Sequence, residues 1–139
     1  MRVEIAALCD AATDQAGKLN LLGAFDRMGG QLPLVIQQCA AAFRIRWDRL
    51  DAGEHVLVLS LRDTRGIPLV PPLESKIQVP EMPPHIESHA INLVLNLQRL
   101  RVDREGKYLM ILTIDGVEFA MLPLWVDDLT PREPNPLQR

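Results

Sequence analysis

The 139-residue chain has the length of one domain and can bury a single hydrophobic core without disulfides or metals to support it. Its 47% hydrophobic and 24% charged residues exclude a disordered or fibrous protein, and a net charge of -3 gives no general attraction to nucleic acid or anionic lipid. The first residues show neither a signal sequence nor a membrane-spanning run, because Glu4 interrupts them. We therefore expect a cytoplasmic protein that binds neither nucleic acid nor membranes.

The first quarter of the chain is open to two interpretations. Residues 3–12 are rich in alanine and fit either a helix or a strand. A turn-like stretch with Gly17 follows at residues 10–18, and residues 19–25 fit a returning strand. The short length and the following turn favour strand–turn–strand over a helix.

The two cysteines, Cys9 and Cys39, fall on apolar sides of predicted strands. Without a secretory signal, free thiols are the expectation, and burial in apolar surroundings makes a thiol unreactive. We expect both to be free, buried and without a catalytic or metal-binding role.

The middle of the chain contains the clearest strand signal. Apolar and charged residues alternate strictly over residues 43–48, as in a strand with one wet face. Residues 55–61 are apolar on both parities, which predicts an interior strand covered on both faces. The proline-rich stretch 68–84 holds one short strand, residues 74–79, and is expected at an edge or in loops.

The last third predicts one further strand and a hairpin. Residues 91–98 alternate as a half-buried strand does. Asp115 and Gly116 separate two apolar segments, and this dipeptide is the strongest short signal for a two-residue hairpin turn. On the second hairpin strand, Phe119 and Trp125 share a parity with Val117 and Met121, which predicts that these residues face the core.

Together these segments predict an all-β protein, an antiparallel β-sandwich of about eight strands with a C-terminal β-hairpin, spanning residues 1–128. Residues 129–139 are proline-rich and predict a flexible tail. The tail contains one PxxP match, from Pro131 to Pro134, which is weak as a signal for an SH3-type ligand.

Several turn and core segments resemble those of a known family. They are Ala-Leu-Cys-Asp at residues 7–10, Gly-Lys-Leu-Asn-Leu-Leu-Gly-Ala-Phe-Asp at 17–26, Gly-Lys-Tyr at 106–108 and Ile-Asp-Gly at 114–116. The chain resembles, over residues 3–126, a family of small prokaryotic proteins known only as a domain of unknown function. The resemblance implies a compact β-sandwich and carries no catalytic or binding residue.

The segment His85, Glu87 and His89 holds side chains of the types that bind zinc or iron. On a strand, alternate residues lie about 6.6 Å apart, so His85 with Glu87, or Glu87 with His89, could share an ion, but the two histidines would be about 13 Å apart. These three are the candidate metal ligands, and the alternative is a solvated loop.

Arg44 and Arg46 form a basic stripe on the exposed face of their predicted strand, which Arg2 and Arg27 could extend. Two interpretations remain: a solvated face, or a surface that binds an acidic protein partner.

The sequence shows no nucleophile-and-base pattern and no phosphate-binding or dinucleotide-binding motif, so we expect neither an enzyme nor a cofactor. The leading hypothesis is a non-catalytic module that binds another protein or itself, with a homodimer as the default assembly. The alternative is a metal- or small-ligand-binding protein, with a metal-dependent hydrolase acting through residues 85–89 as its catalytic form.

Overall fold

The chain forms nine β-strands in the computed structural model, which describes residues 1–131. The strands are β1 (Arg2–Gln15), β2 (Lys18–Ala24), β3 (Arg27–Gly30), β4 (Leu34–Asp48), β5 (Gly53–Asp63), β6 (Leu73–Val79), β7 (Ser88–Val102), β8 (Gly106–Ile114) and β9 (Val117–Asp128). A 3₁₀ turn, Arg49–Asp51, joins β4 to β5. Within the described residues, no helix is long and apolar enough to span a membrane.

The strands form two sheets, which confirms the predicted all-β sandwich. Sheet 1 has the order β2-β1-β4-β7 and sheet 2 the order β3-β9-β8-β5-β6. The pairs are antiparallel except β3 with β9, which run parallel. The strand β3 was not predicted, because four residues with two glycines show no alternation.

The core lies between the sheets and is built from alternate residues of each strand. On β4, Phe43, Ile45 and Trp47 are buried, whereas Arg44 and Arg46 face outward, so the predicted alternation of residues 43–48 is confirmed. On β5, which lies between β8 and β6, only one face is buried, by Leu57, Leu59 and Leu61. The expectation of an interior strand was correct, but full cover on both faces was wrong.

The C-terminal hairpin is confirmed. Asp115 and Gly116 connect β8 to β9 with φ values of 51° and 80°. Both turn positions thus adopt the left-handed conformation that a tight hairpin turn requires and that Asp and Gly tolerate best.

The predicted core face of β9 is correct at Phe119 but wrong for Met121 and Trp125, because the β8–β9 register shifts between residues 112 and 113. A β-bulge of this kind exchanges the two faces of a strand, and a sequence pattern does not reveal it. Val117 and Met121 are 59% and 51% exposed, while Phe119 packs against the core from the bulge itself. Beyond the bulge the inward residues are Leu122, Leu124 and Val126.

Trp125 therefore lies on the outer face of sheet 2. Its ring has the guanidinium of Arg27 at 5.5 Å and the ammonium of Lys107 at 5.7 Å from its centre. These cation–π contacts hold the half-buried aromatic in place over β3, β9 and β8.

The ambiguity over residues 3–12 is resolved as strand, since they lie within β1. The turn is shorter than predicted: β1 continues to Gln15, and only Ala16 and Gly17, with φ of 52° and 76°, connect it to β2. The outer half of this hairpin, residues 10–24, is called the hairpin arm below. Its tip contacts β7 on the outer side of sheet 1, where the Asn92 amide donates to Asp14 Oδ1 (3.2 Å) and to the Gly17 carbonyl (3.1 Å).

Both cysteines are free and buried, as predicted. Cys39 belongs to the main core, whereas Cys9 lies with Ala40 and Ala42 in a small apolar cluster. Burial raises the pKa of the Cys39 thiol to about 11, and it also raises the pKa of Cys9. Neither thiol is ionised at neutral pH, which makes both poor nucleophiles.

The predicted tail, residues 129–139, is described only at its start. Leu129 donates its N–H to the Gly30 carbonyl at 2.9 Å and so continues the β3–β9 pairing by one residue. Residues 132–139, with most of the PxxP match, lie outside the described residues.

Candidate interaction surface

The two candidate partner-binding arginines are joined by one carboxylate. Glu4 lies 3.5 Å from Arg44 Nε and 3.0 Å from Arg46 Nη2. Each guanidinium also donates to a polar side chain of β7, Arg44 to Asn92 (3.0 Å) and Arg46 to Ser88 (2.9 Å). The arginine side chains are only 28% and 29% exposed.

The hydrogen bond from Arg46, supported by the charges of the neighbouring arginines, holds the pKa of Glu4 below its usual value. Glu4 thus stays ionised and neutralises part of the predicted basic stripe. Of the proposed extensions, Arg2 also reaches Glu4 (4.0 Å), whereas Arg27 lies on sheet 2 and pairs with Asp127 (2.9 Å). The arginines thus tie β1, β4 and β7 together across the face of sheet 1.

The three candidate metal ligands are divided between a turn and a strand. His85 and Glu87 lie before β7 and line a cavity of about 380 Å³ with the 3₁₀ turn, whereas His89 lies within β7, opposite Trp47. Across residues 1–131, no group of three or more His, Cys, Asp or Glu side chains is placed to hold a metal ion. The geometry therefore adds no support to the metal-site hypothesis.

Arg49 fixes the shape of this turn. Its Nη2 donates to the carbonyls of Pro83 (3.2 Å), Pro84 and Ile86 (3.0 Å), and Ile86 N–H closes the turn onto Pro83 at 3.0 Å. Because one guanidinium binds three carbonyl groups of residues 83–86, this segment has a structural role: it fixes the position from which the chain enters β7.

His55 was not singled out from the sequence, yet both of its ring nitrogens are engaged. Nδ1 lies 2.6 Å from Asp115 Oδ2 and Nε2 lies 2.5 Å from the Asp51 carbonyl, and the ring packs against Trp47 with centres 5.0 Å apart. Because both partners are acceptors, the ring satisfies both only as an imidazolium. Burial opposes that charge, but the Asp51 carbonyl and the Asp115 carboxylate outweigh it and raise the pKa of His55.

The most unusual surface of the described chain is the outer edge of β7. Within residues 1–131, β7 pairs only with β4, so its other side presents unpaired backbone groups along a strand of 15 residues. Residues 88–98 contain no Lys, Arg, Asp, Glu, Pro or Gly. Charges, prolines and bulges are the devices by which proteins keep open edges from pairing, and this segment has none of them.

The inward side chains along this edge are incompletely covered. Ile91, Leu93 and Leu95 pack against the core but stay partly exposed, whereas Leu97 and Leu100 further along the strand are buried. The segment that lacks charges is thus also the segment where apolar area remains in water.

The edge strands β2, β3 and β6 are short or protected. The edge strand β2 has seven residues and begins at Lys18, β3 has four and begins at Arg27, and β6 carries Glu74 and Lys76 between flanking prolines. Each of these edges is a poor template for another strand.

The first part of β9 is also open, and a proline protects it. Trp125 donates its N–H away from β8, to the Asp26 carbonyl at 2.8 Å. Since backbone groups alternate sides with a period of two, the nitrogen of Pro123 faces the same open side, and it has no hydrogen to donate. This edge faces a groove of about 370 Å³ between the sheets, lined by Ala6, Leu8 and Phe25 among others.

The β7 edge was missed because residues 91–98 were interpreted only for their alternation. The signal was present in the composition: a long strand without charges or breakers is unusual unless a neighbour covers both of its sides. The sequence pattern does not show which strands lie at the edge of a sheet.

The comparisons with known proteins support the fold. A protein-family model described as "Family of unknown function (DUF6941)" matches residues 4–127. No curated protein matches the chain.

Two similar solved structures are a β-glucosidase from Listeria innocua in complex with isofagomine and the alkylpurine DNA glycosylase AlkC of Pseudomonas fluorescens bound to DNA containing an abasic site analog. The first is 11% identical with a TM-score of 0.51, covering 73% of this chain and 15% of the other. The second is 6% identical with a TM-score of 0.51, covering 91% and 30%. The chain spans less than a third of either protein, and such identities show similarity of fold alone.

Proposed function

Since the chain belongs to DUF6941, a family without an assigned activity, we propose its function from its surface: a non-catalytic module that binds a β-strand of another polypeptide, or of a second copy, at the open edge of β7. We place this binding in the cytoplasm, as expected from the sequence. The single observation that carries the proposal is the uncharged, unpaired edge of residues 88–98.

Strand addition would satisfy two needs of this edge at once. The added backbone would pair with the open N–H and C=O groups of β7, which supplies affinity with little dependence on sequence. Its side chains would also cover the exposed parts of Ile91, Leu93 and Leu95, and the removal of apolar area from water stabilises such a complex.

Side-chain contacts near the edge hold β7 in place before a partner strand binds. Arg44 and Arg46 hold Asn92 and Ser88 of β7 from the β4 side, and Arg49 fixes the turn that leads into it. An edge held straight before its partner arrives loses less conformational entropy on binding.

The test uses NMR of the ¹⁵N-labelled protein with a synthetic peptide of alternating Thr and Val, at a concentration where sedimentation shows a monomer. We expect amide shifts concentrated on residues 88–98. The double variant N96K/Q98K, which adds two charges at exposed positions of β7, should reduce these shifts at least tenfold.

The matched control is N20K/Q78K, which adds the same charges at exposed positions of β2 and β6 and should bind the peptide as the wild type does. Shifts that centre on another strand, that persist in the β7 variant, or that fail to occur in the monomer would overturn the proposal.

A further inference from the structure

We infer that the strand accepted by β7 is β7 of a second copy of this chain, paired antiparallel about a twofold axis at Val94. This inference rests on the proposed function and names its partner. Its basis is a property of the strand itself that no other strand edge within residues 1–131 shares.

Residues 91–97 read Ile-Asn-Leu-Val-Leu-Asn-Leu, a sequence nearly identical in both directions about Val94. In an antiparallel pair related by a twofold axis, each residue faces the one equally far from the axis on the other strand. Centring the axis on Val94 places Leu93 opposite Leu95 and Asn92 opposite Asn96 of the other copy. Every position then meets a side chain of its own kind.

The register also preserves the two faces of the sheet. Because paired positions differ by an even number of residues, inward side chains of one copy meet inward side chains of the other. Ile91, Leu93 and Leu95, the partly exposed inward residues, become cross-strand neighbours of Leu97, Leu95 and Leu93. Two copies of sheet 1 join into one continuous sheet with a shared apolar face.

On the C-terminal side of the palindrome, the backbone of β7 departs from regular strand geometry at Arg99. Arg99 has φ of 53° and is skipped in the β4–β7 pairing, which resumes at Leu100 in the same register. In the twofold arrangement Gln98 faces Ala90 of the other copy, and the next position outward is His89 facing Arg99. The segment without charged residues, glycines or prolines, residues 88–98, therefore contains the whole palindrome.

The experiment is site-directed disulfide crosslinking. Residues directly opposite in an antiparallel pair have Cβ atoms about 4.5–5.5 Å apart, within reach of a disulfide after small adjustment. Under mild oxidation V94C should give a covalent dimer, and at equal concentration at least tenfold faster than N96C. In the predicted register the two residues 96 lie about 13 Å apart along the strands and cannot bridge. The native cysteines are buried and do not compete.

Two further measurements complete the test. Sedimentation equilibrium should show a monomer–dimer equilibrium in the micromolar range, and N96K/Q98K should shift it at least tenfold towards monomer, while N20K/Q78K should not. A wild type that stays monomeric at high micromolar concentration, or N96C that crosslinks as fast as V94C, would overturn the inference. The peptide experiment on the monomer is unaffected by those outcomes, so failure of the self-pairing and failure of the strand-binding function are distinguishable.

Discussion

Replacing His55 with phenylalanine should destabilise the protein, and the loss should depend on pH. The ring joins three parts of the fold, since it contacts Trp47 of β4, the Asp51 carbonyl of the 3₁₀ turn and Asp115 of the β8–β9 hairpin. Phenylalanine keeps the aromatic contact with Trp47 and removes both hydrogen bonds. The variant therefore measures what the two hydrogen bonds of His55 contribute to the free energy of unfolding.

The bond from Nε2 to the Asp51 carbonyl is the more shielded of the two, and the His55 side chain is 13% exposed. A hydrogen bond from a charged donor contributes about 1.5–3 kcal/mol. We therefore expect H55F to unfold with a free energy lower by about 2 kcal/mol at pH 6. We assign no separate figure to the bond with Asp115, whose carboxylate is 46% exposed and partly solvated.

The sign of the pH dependence follows from the direction of the shift. The pKa of His55 is raised above 6.5, so its stabilising contribution is fully present below pH 6.5 and is lost as the pH rises through the folded-state pKa. Urea unfolding of wild type and H55F from pH 6 to pH 9 measures this. The difference in unfolding free energy should shrink as the pH rises.

The control is H85Q, at an exposed histidine of the turn before β7, which should change the unfolding free energy by less than about 0.5 kcal/mol at every pH. A difference between wild type and H55F that stays constant from pH 6 to pH 9, or that grows, would refute the assignment of His55 as an imidazolium held by two acceptors.

Three further outcomes are expected. Leu124→Ala, in the fully buried core, should lower the unfolding free energy by about 2–5 kcal/mol, whereas Leu22→Ala, at a 70% exposed position, should leave it nearly unchanged in the same urea titration. Cys9 and Cys39 should resist a thiol reagent in the native protein and react after unfolding; rapid native labelling would contradict their burial. Added Zn²⁺ should leave the melting temperature unchanged, because no three ligands converge at residues 85–89, and a rise would restore the metal-binding alternative.

Much of the fold was predictable because local patterns and the tertiary structure agree. The alternation at residues 43–48 and the turn at Asp115 and Gly116 are short-range signals whose physical causes act within a few residues. Residues 3–12 were harder to predict, because alanine fits both helix and strand, and pairing with β4 decides between them.

What failed depends on distant partners. The bulge at residues 112–113 moved Trp125 from the predicted core face to the surface, and the parallel pairing of β3 with β9 joins segments far apart in the chain. The candidate site shows the same limit: Arg44 and Arg46 were correctly placed on an outer face, but their shared contact with Glu4 comes from the β1–β4 register. The near-palindrome of residues 91–97 can be read from the sequence, but it suggests self-pairing only once the structure places β7 at the edge of its sheet.

Pro123 bears on how large an assembly of these molecules can become. A chain of subunits joined edge to edge lengthens without limit only if every unit offers two edges that accept a neighbour. Here the missing hydrogen of Pro123 disfavours strand pairing at the open part of β9, and the charges of β6 and the shortness of β2 and β3 disfavour it at those edge strands. If β7 is the edge that accepts a strand among the described residues, its first pairing leaves no second edge of that kind. The same backbone chemistry that forms fibrils in other β-proteins would thus stop at two subunits in this one.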